Sequence, residues 1–161
     1  RVSDPRHPLE RRPVDLRSVI LDVVTLVESQ ATVKDVVLRS ETWPGPMIVA
    51  GDAEELDRLV ANLVSNAVKY TPPGGAVSVG LRRRGDEVVL EVADTGLGIS
   101  EDDQVGLFRP FFRTSNPAAL REQGTGLGLA IVATITERHR GSVDVRSELH
   151  RGTTFTVALP A

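Results

Sequence analysis

The chain has 161 residues, enough for one domain of the usual size of about 150 residues and too few for two independent cores in tandem. With 40% hydrophobic and 25% charged residues it has the composition of a folding, soluble domain rather than a disordered segment. Nineteen Lys and Arg against 22 Asp and Glu give a net charge of -3, which lacks the cationic field that nucleic-acid binding needs, and the absence of Cys removes disulfides, thiolate metal sites and thiol nucleophiles.

No apolar run approaches the roughly 18 residues of a membrane span, and Arg1-Val2-Ser3-Asp4-Pro5 has no signal-peptide character. The expected location is cytoplasmic, without direct membrane contact. The Pro- and Arg-rich start, without an initiator Met, predicts a piece of a longer protein: residues 1–14 as a linker remnant and 15–161 as the domain.

Asp15 is placed to cap a helix whose apolar positions Leu16, Val19, Ile20, Val23 and Val27 recur at i, i+3 and i+4, ending near Ala31. Short strands are predicted over Val33–Arg39 and Met47–Ala50, separated by Pro44-Gly45-Pro46. Asp52 caps the most regular helix, with Leu56, Leu59, Val60, Leu63, Val64, Ala67 and Val68 on one face and Pro72-Pro73-Gly74-Gly75 stopping it. Val77–Arg83 and Val88–Ala93 alternate around Gly85-Asp86 as a hairpin.

Two glycine clusters follow: Asp94-Thr95-Gly96-Leu97-Gly98-Ile99 directly after a strand, and Gly124-Thr125-Gly126-Leu127-Gly128-Leu129 at the start of a helix that Gly141 ends. Arg138, His139 and Arg140 complement the dipole at that helix's C-terminus. A closing hairpin spans Ser142–Ser147 and Thr153–Leu159. This order predicts an α+β sandwich, a mixed sheet with helices on one face, because the hairpins break the regular alternation of a doubly wound fold.

Asn62, Asn66 and Lys69 share a stripe within about 60° beside the apolar face of the second long helix. Asn oxygens suit Mg²⁺, which takes few protein ligands and keeps phosphates and water, and Lys meets phosphate as a point charge. The alternative is an ordinary solvated helix face. Asp94, at a strand end, could accept a hydrogen bond from an exocyclic amine such as that of adenine, or could simply form a turn. Glycines leading into a helix offer backbone N–H groups to an anion. Between the clusters, Ser100–Gln123 holds Phe108, Phe111 and Phe112 and then a polar run, the composition of a lid or of a surface loop.

Five segments in order resemble the nucleotide-binding domain of sensor histidine kinases, within the gyrase, chaperone, histidine kinase and MutL ATPase superfamily. Asn62–Thr71 resembles the N box, Asp94–Ile99 the first glycine box, Leu107–Arg113 the F box, Gly124–Val132 the second glycine box and Gly152–Phe155 the last. The resemblance implies a two-layer Bergerat-type fold, about five strands packed on three helices with a flexible ATP lid. It further implies that Asn66 holds Mg²⁺ with help from Asn62, Lys69 touches phosphate and Tyr70 lies against adenine. Asp94 would bind the adenine amino group, and Gly96, Gly98, Ile99 and Thr153 would belong to the ATP site. The backbone of Gly124, Thr125, Gly126, Leu127 and Gly128 would receive the phosphates, Leu129 would belong to the ATP site, and Arg113, Arg121 and Gln123 would act from the lid.

Gyrase-like members carry a water-activating Glu where this chain has Asn62, so the resemblance favours ATP held for a protein acceptor over ATP hydrolysed. His7, His139 and His150 are the only histidines, and none stands in the family's phosphoacceptor motif. The implied activity is therefore the ATP half of a histidine kinase reaction, with the acceptor His on a separate dimerisation domain of the same protein and a response regulator downstream. The parent protein is expected to be membrane-anchored. A serine kinase or ATPase of the superfamily, or an ATP-sensing module without transfer, are the alternatives.

Overall fold

Asp15 turns the chain from strand into helix: its carboxylate accepts from the N–H of Arg17 at 3.1 Å and from that of Met47 at 3.0 Å. One side chain thus caps a helix and pins a loop thirty-two residues away in sequence. The computed structural model describes residues 9–42, 44–110, 112 and 128–161. In chain order the elements are β1 (Arg12–Asp15), α1 (Leu16–Lys34), β2 (Val37–Thr42), β3 (Ile48–Gly51), α2 (Ala53–Lys69), β4 (Ala76–Arg84), β5 (Glu87–Asp94), α3 (Glu101–Val105), α4 (Gly128–Arg138), β6 (Ser142–Glu148) and β7 (Gly152–Pro160).

Five strands form one sheet in the order β2-β4-β5-β7-β6, with β2 parallel to β4 and every other pair antiparallel. A second, two-stranded sheet pairs β1 with β3. The register lines up Val79, Val92 and Phe155 across three strands, and Leu81, Leu90 and Val157 beside them. These side chains are buried, as alternation requires of a sheet covered on one face. The covering layer is α1, α2 and α4, with α2 in the middle. Leu56, Leu59, Val60, Leu63 and Val64 of α2 are at most 1% exposed, so this helix is the centre of the core. The predicted α+β sandwich is the observed architecture.

Differences from the predicted elements have local causes. Helix α1 runs to Lys34, three residues past Ala31, and takes Val33 out of the predicted strand. Beyond buried Ala31, Val33 is 89% exposed, so the apolar pattern stops before the helix does. The stop is Asp35 in the left-handed region, φ 60°, whose N–H bonds Ala31 and Thr32 carbonyls. At the end of α4 the left-handed residue is Arg140, φ 57°, one position before the Gly141 that the sequence suggested as the stop. Strand β1 lies in the segment read as linker, and the single-turn helix α3 lies in the segment read as loop. No helix among the described residues is long and apolar enough to cross a membrane.

Candidate functional site

Asp94 ends β5 opposite Thr153 of β7. Its Oδ1 accepts from the N–H of Gly96 at 2.8 Å and from that of Thr153 at 3.2 Å, while Oδ2 has no hydrogen-bond partner among the described residues. Burial pushes the carboxyl up to about 6, and the two backbone N–H groups oppose that shift without cancelling it. A half-buried carboxylate with one oxygen anchored and one uncommitted is suited to accept from a ligand N–H.

The loop after Asp94 is clamped to the β6–β7 turn. Ser147 Oγ accepts from the N–H of Ile99 at 2.7 Å and lies 2.7 Å from Thr153 Oγ1. Gln104 Nε2 donates to the Ile99 carbonyl at 2.9 Å and to that of Ser147 at 3.3 Å, and the N–H of His150 bonds Leu97 O at 2.7 Å. Gly98 has φ +70°, and a Cβ there would meet Glu148 O at 2.1 Å. At Gly96 a Cβ would meet Tyr70 O at 2.5 Å. Neither glycine opens onto free space: at both, the chain's own backbone occupies the position that a side chain would take. Ser147 and Gln104 escaped the sequence reading because a lone polar residue in a strand or loop has no periodic signature.

On α2, Asn62 Nδ2 donates back to Arg58 O at 2.8 Å. Asn62 and Asn66 face the first turn of α4, where a Cβ added to Gly128 would come within 3.1 Å of Asn62 Oδ1 and 3.5 Å of Asn66 Nδ2. Two carboxamides and a bare glycine therefore form a narrow cradle between the helices. Among the described residues no group of three or more His, Asp or Glu side chains gathers to hold a metal. The donors present, neutral amide oxygens, fit a Mg²⁺ ion that relies on phosphates and water for most of its shell.

Lys69 and Tyr70 sit where α2 ends, with Lys69 Nζ 5.6 Å from the centre of the Tyr70 ring. Lys34 of α1 donates to the carbonyls of Val68 and Lys69, satisfying backbone acceptors that the helix end leaves open. Tyr70 O in turn receives the N–H of Leu97 at 3.3 Å, which ties the end of α2 to the loop after Asp94. The structure thus makes two groups, Asn62 and Asn66 of α2 against Gly128 of α4, and Tyr70, Gly96, Gly98, Ile99 and Thr153 around Asp94 and the loop after it, with Lys69 beside Tyr70 and Leu129 packed on the core. Phe108 packs edge-on to Phe155 at 6.1 Å and Phe112 packs on the core, anchoring the segment after α3. Arg113, Arg121, Gln123, Gly124, Thr125, Gly126 and Leu127 lie outside the described residues, as do Phe111 and His7.

His139 is not the dipole partner that its place at a helix end suggested. It is 2% exposed; its Nε2 accepts from the N–H of Asp52 at 3.1 Å, and Nδ1 therefore carries the proton and donates to Ile135 O at 2.8 Å. Arg138, likewise read as a dipole charge, makes two parallel bonds to Glu55, Nε to Oε1 at 3.0 Å and Nη2 to Oε2 at 2.9 Å.

A polar depression of about 360 Å³ opens behind Asp94, lined by Ser147, Thr153, Arg146, Glu148 and Arg151 among others. No residue of α2 lines it, so it is separate from the cradle.

The family described as histidine kinase-, DNA gyrase B-, and HSP90-like ATPase matches residues 51–161, from the end of β3 to the C-terminus. The chain belongs to this family. Over 148 residues this ATPase domain is 38% identical to the sensor-like histidine kinase SenX3 of Mycobacterium tuberculosis, covering 92% of the chain and 36% of that protein. Over 162 residues it is 40% identical to the histidine protein kinase DivJ of Caulobacter vibrioides, covering 99% of the chain and 27% of that protein. The structure of the mycobacterial sensor histidine kinase MprB matches with a TM-score of 0.81 at 32% identity, covering 93% of this chain and 97% of that one. Full-length ShkA in complex with AMPPNP matches at 0.83 and 31% identity, over 96% of this chain and 32% of that one. The chain thus spans about a third of the length of the curated relatives it matches.

Proposed function

We propose that this domain binds ATP with Mg²⁺ and presents the γ-phosphate to a histidine on a separate dimerisation domain of the same sensor kinase, a response regulator receiving the phosphoryl group afterwards. The observation that carries the reading is Asp94: a carboxylate anchored through one oxygen, with the other uncommitted, next to the end of the helix that bears Asn62, Asn66 and Lys69. Its Oδ2 accepts from the adenine amino group, which distinguishes adenine from guanine, whose corresponding position is a carbonyl. The ShkA relative, 31% identical, has been captured with AMPPNP, which supports the same ligand here.

In this reading Asn66, with Asn62 beside it, holds Mg²⁺ in the cradle opposite Gly128; the ion supplies charge neutralisation on the phosphates. Lys69 contributes a point charge to the phosphates, and Tyr70 lies against the adenine. Gly124–Leu129 offer backbone N–H groups to the phosphates, and Arg113, Arg121 and Gln123 act from the lid. Asn62 has no basic group, so water is not activated from that position. The residues of this domain bind, orient and exclude water, and the nucleophile is the acceptor imidazole. The domain includes β1, whose Arg12–Asp15 pair with β3, and works on the cytoplasmic side of a membrane-anchored parent.

Calorimetric titration with a non-hydrolysable ATP analogue, with and without Mg²⁺ and against GTP, tests the binding claim. Adenine-selective binding strengthened by Mg²⁺ is expected. The upstream acceptor domain added in trans should then acquire acid-labile phosphate from γ-labelled ATP. No adenine-nucleotide binding at millimolar concentration by folded protein would overturn the reading.

A further inference from the structure

A two-bond ion pair joins α2 and α4 at the end of the pair remote from the Asn62–Gly128 cradle. The helices run antiparallel, with Gly128 of α4 against Asn62 and Asn66 and Arg138 against Glu55. The Glu55–Arg138 pair is a fork of two parallel bonds with only 11% and 15% of its side chains exposed, and the His139–Asp52 bond lies beside it. We infer that Glu55 and Arg138 are positioning residues: the fork sets the register and azimuth of α4 on α2, and through it the width of the cradle at Gly128.

Geometry makes that end sensitive. Ten residues separate Arg138 from Gly128, about 15 Å of helix, so a pivot of about 4° at the fork moves the Gly128 end by about 1 Å. The layer between is apolar, with Leu59 and Leu63 on α2 and Val132 and Ile135 on α4. Apolar burial is non-directional, so it holds the two helices together without by itself fixing one small rotation. The single His139–Asp52 bond fixes a point about which α4 can still turn; two parallel bonds to a planar guanidinium fix an orientation. A buried ion pair is a weak source of stability, because desolvation offsets its attraction, and registry is the use for which such pairs are best attested. The sequence reading did not pair Glu55 with Arg138, because they stand 83 residues apart.

The inference rests on the proposed Mg-ATP site, and its test separates the two. The double variant Glu55→Met/Arg138→Met replaces the fork with unbranched apolar side chains. Its melting temperature is expected to equal or exceed that of the wild type. Without nucleotide, NMR should show shifted Asn62 and Asn66 side-chain amide and Gly128 backbone amide signals. Mg-ATP affinity should fall about tenfold, the scale of one lost charge-assisted bond, while adenosine affinity, set at the Asp94 end, should stay within about twofold. A large drop in melting temperature would assign the fork to stability and overturn the inference. Unshifted amides with an unchanged ratio of ATP to adenosine affinity would overturn it as well. If the wild type itself binds no Mg-ATP, the proposed function fails, and the nucleotide-free amide signals alone decide whether the fork sets the cradle.

Discussion

Replacing Asp94 with Asn separates the stability of the domain from its proposed ligand. The Asp94 carboxyl titrates near 6 because burial disfavours its charge, against 3.8 for an ordinary Asp, so the folded state binds a proton that the unfolded state has released. The sign follows from linkage: the folded wild type loses stability as pH rises from about 4 to about 6, and above that it carries the full cost of the buried charge. A displacement of roughly two units at about 1.4 kcal/mol each sets an upper bound of about 3 kcal/mol, and about 2 kcal/mol is a reasonable expectation after the Asn amide's own desolvation. Asn keeps Oδ1 for the N–H groups of Gly96 and Thr153 and never ionises. At pH 7.5 the Asp94→Asn variant should therefore melt about 4–8 °C above the wild type, and the difference should vanish near pH 4. In the same protein its Nδ2 would face the adenine amino group donor to donor, so ATP affinity should fall about 10- to 100-fold. Thermal unfolding followed by circular dichroism at both pH values, with calorimetric titration at pH 7.5, measures both effects. A variant no more stable than the wild type at pH 7.5 refutes the burial argument, and an unchanged ATP affinity refutes the adenine assignment.

Gly98→Ala introduces a Cβ onto Glu148 O in a left-handed backbone and should cost about 3 kcal/mol or more, read as a fall in the urea midpoint. Lys34→Met removes the donor that closes α2 at Val68 and Lys69, for a loss of about 1–2 kcal/mol in the same experiment. Leu59→Ala, at the centre of the core, should cost about 2–5 kcal/mol. Asn66→Ala should leave the melting temperature within a few degrees yet abolish the gain in ATP affinity that Mg²⁺ confers; calorimetry that still shows that gain would remove Asn66 from the metal site.

The helices α1, α2 and α4 and the two antiparallel hairpins were legible in the sequence because each has a local period: 3.6 residues where one helix stripe is apolar, two where one sheet face is covered. The N-caps Asp15 and Asp52 were legible for the same reason, since a cap bonds a backbone group two or three residues away. The candidate site was legible as residue types, carboxamides one helical turn apart and a carboxylate between strand and glycines. The order of five motifs pointed to the ATPase family.

What chain order could not reveal depends on groups far apart in sequence meeting in space. Tertiary packing alone decided that β2 joins β4 in parallel, that Pro13 lies in a strand paired with β3, and that Gly96 and Gly98 yield to the chain's own carbonyls. It also turned His139 and Arg138 from a dipole complement into the buried link between α2 and α4. Periodicity records which face of an element is apolar, whereas a hydrogen bond between residues 83 apart leaves no period in either segment. Its partners are chosen only when the core brings the two helices into register.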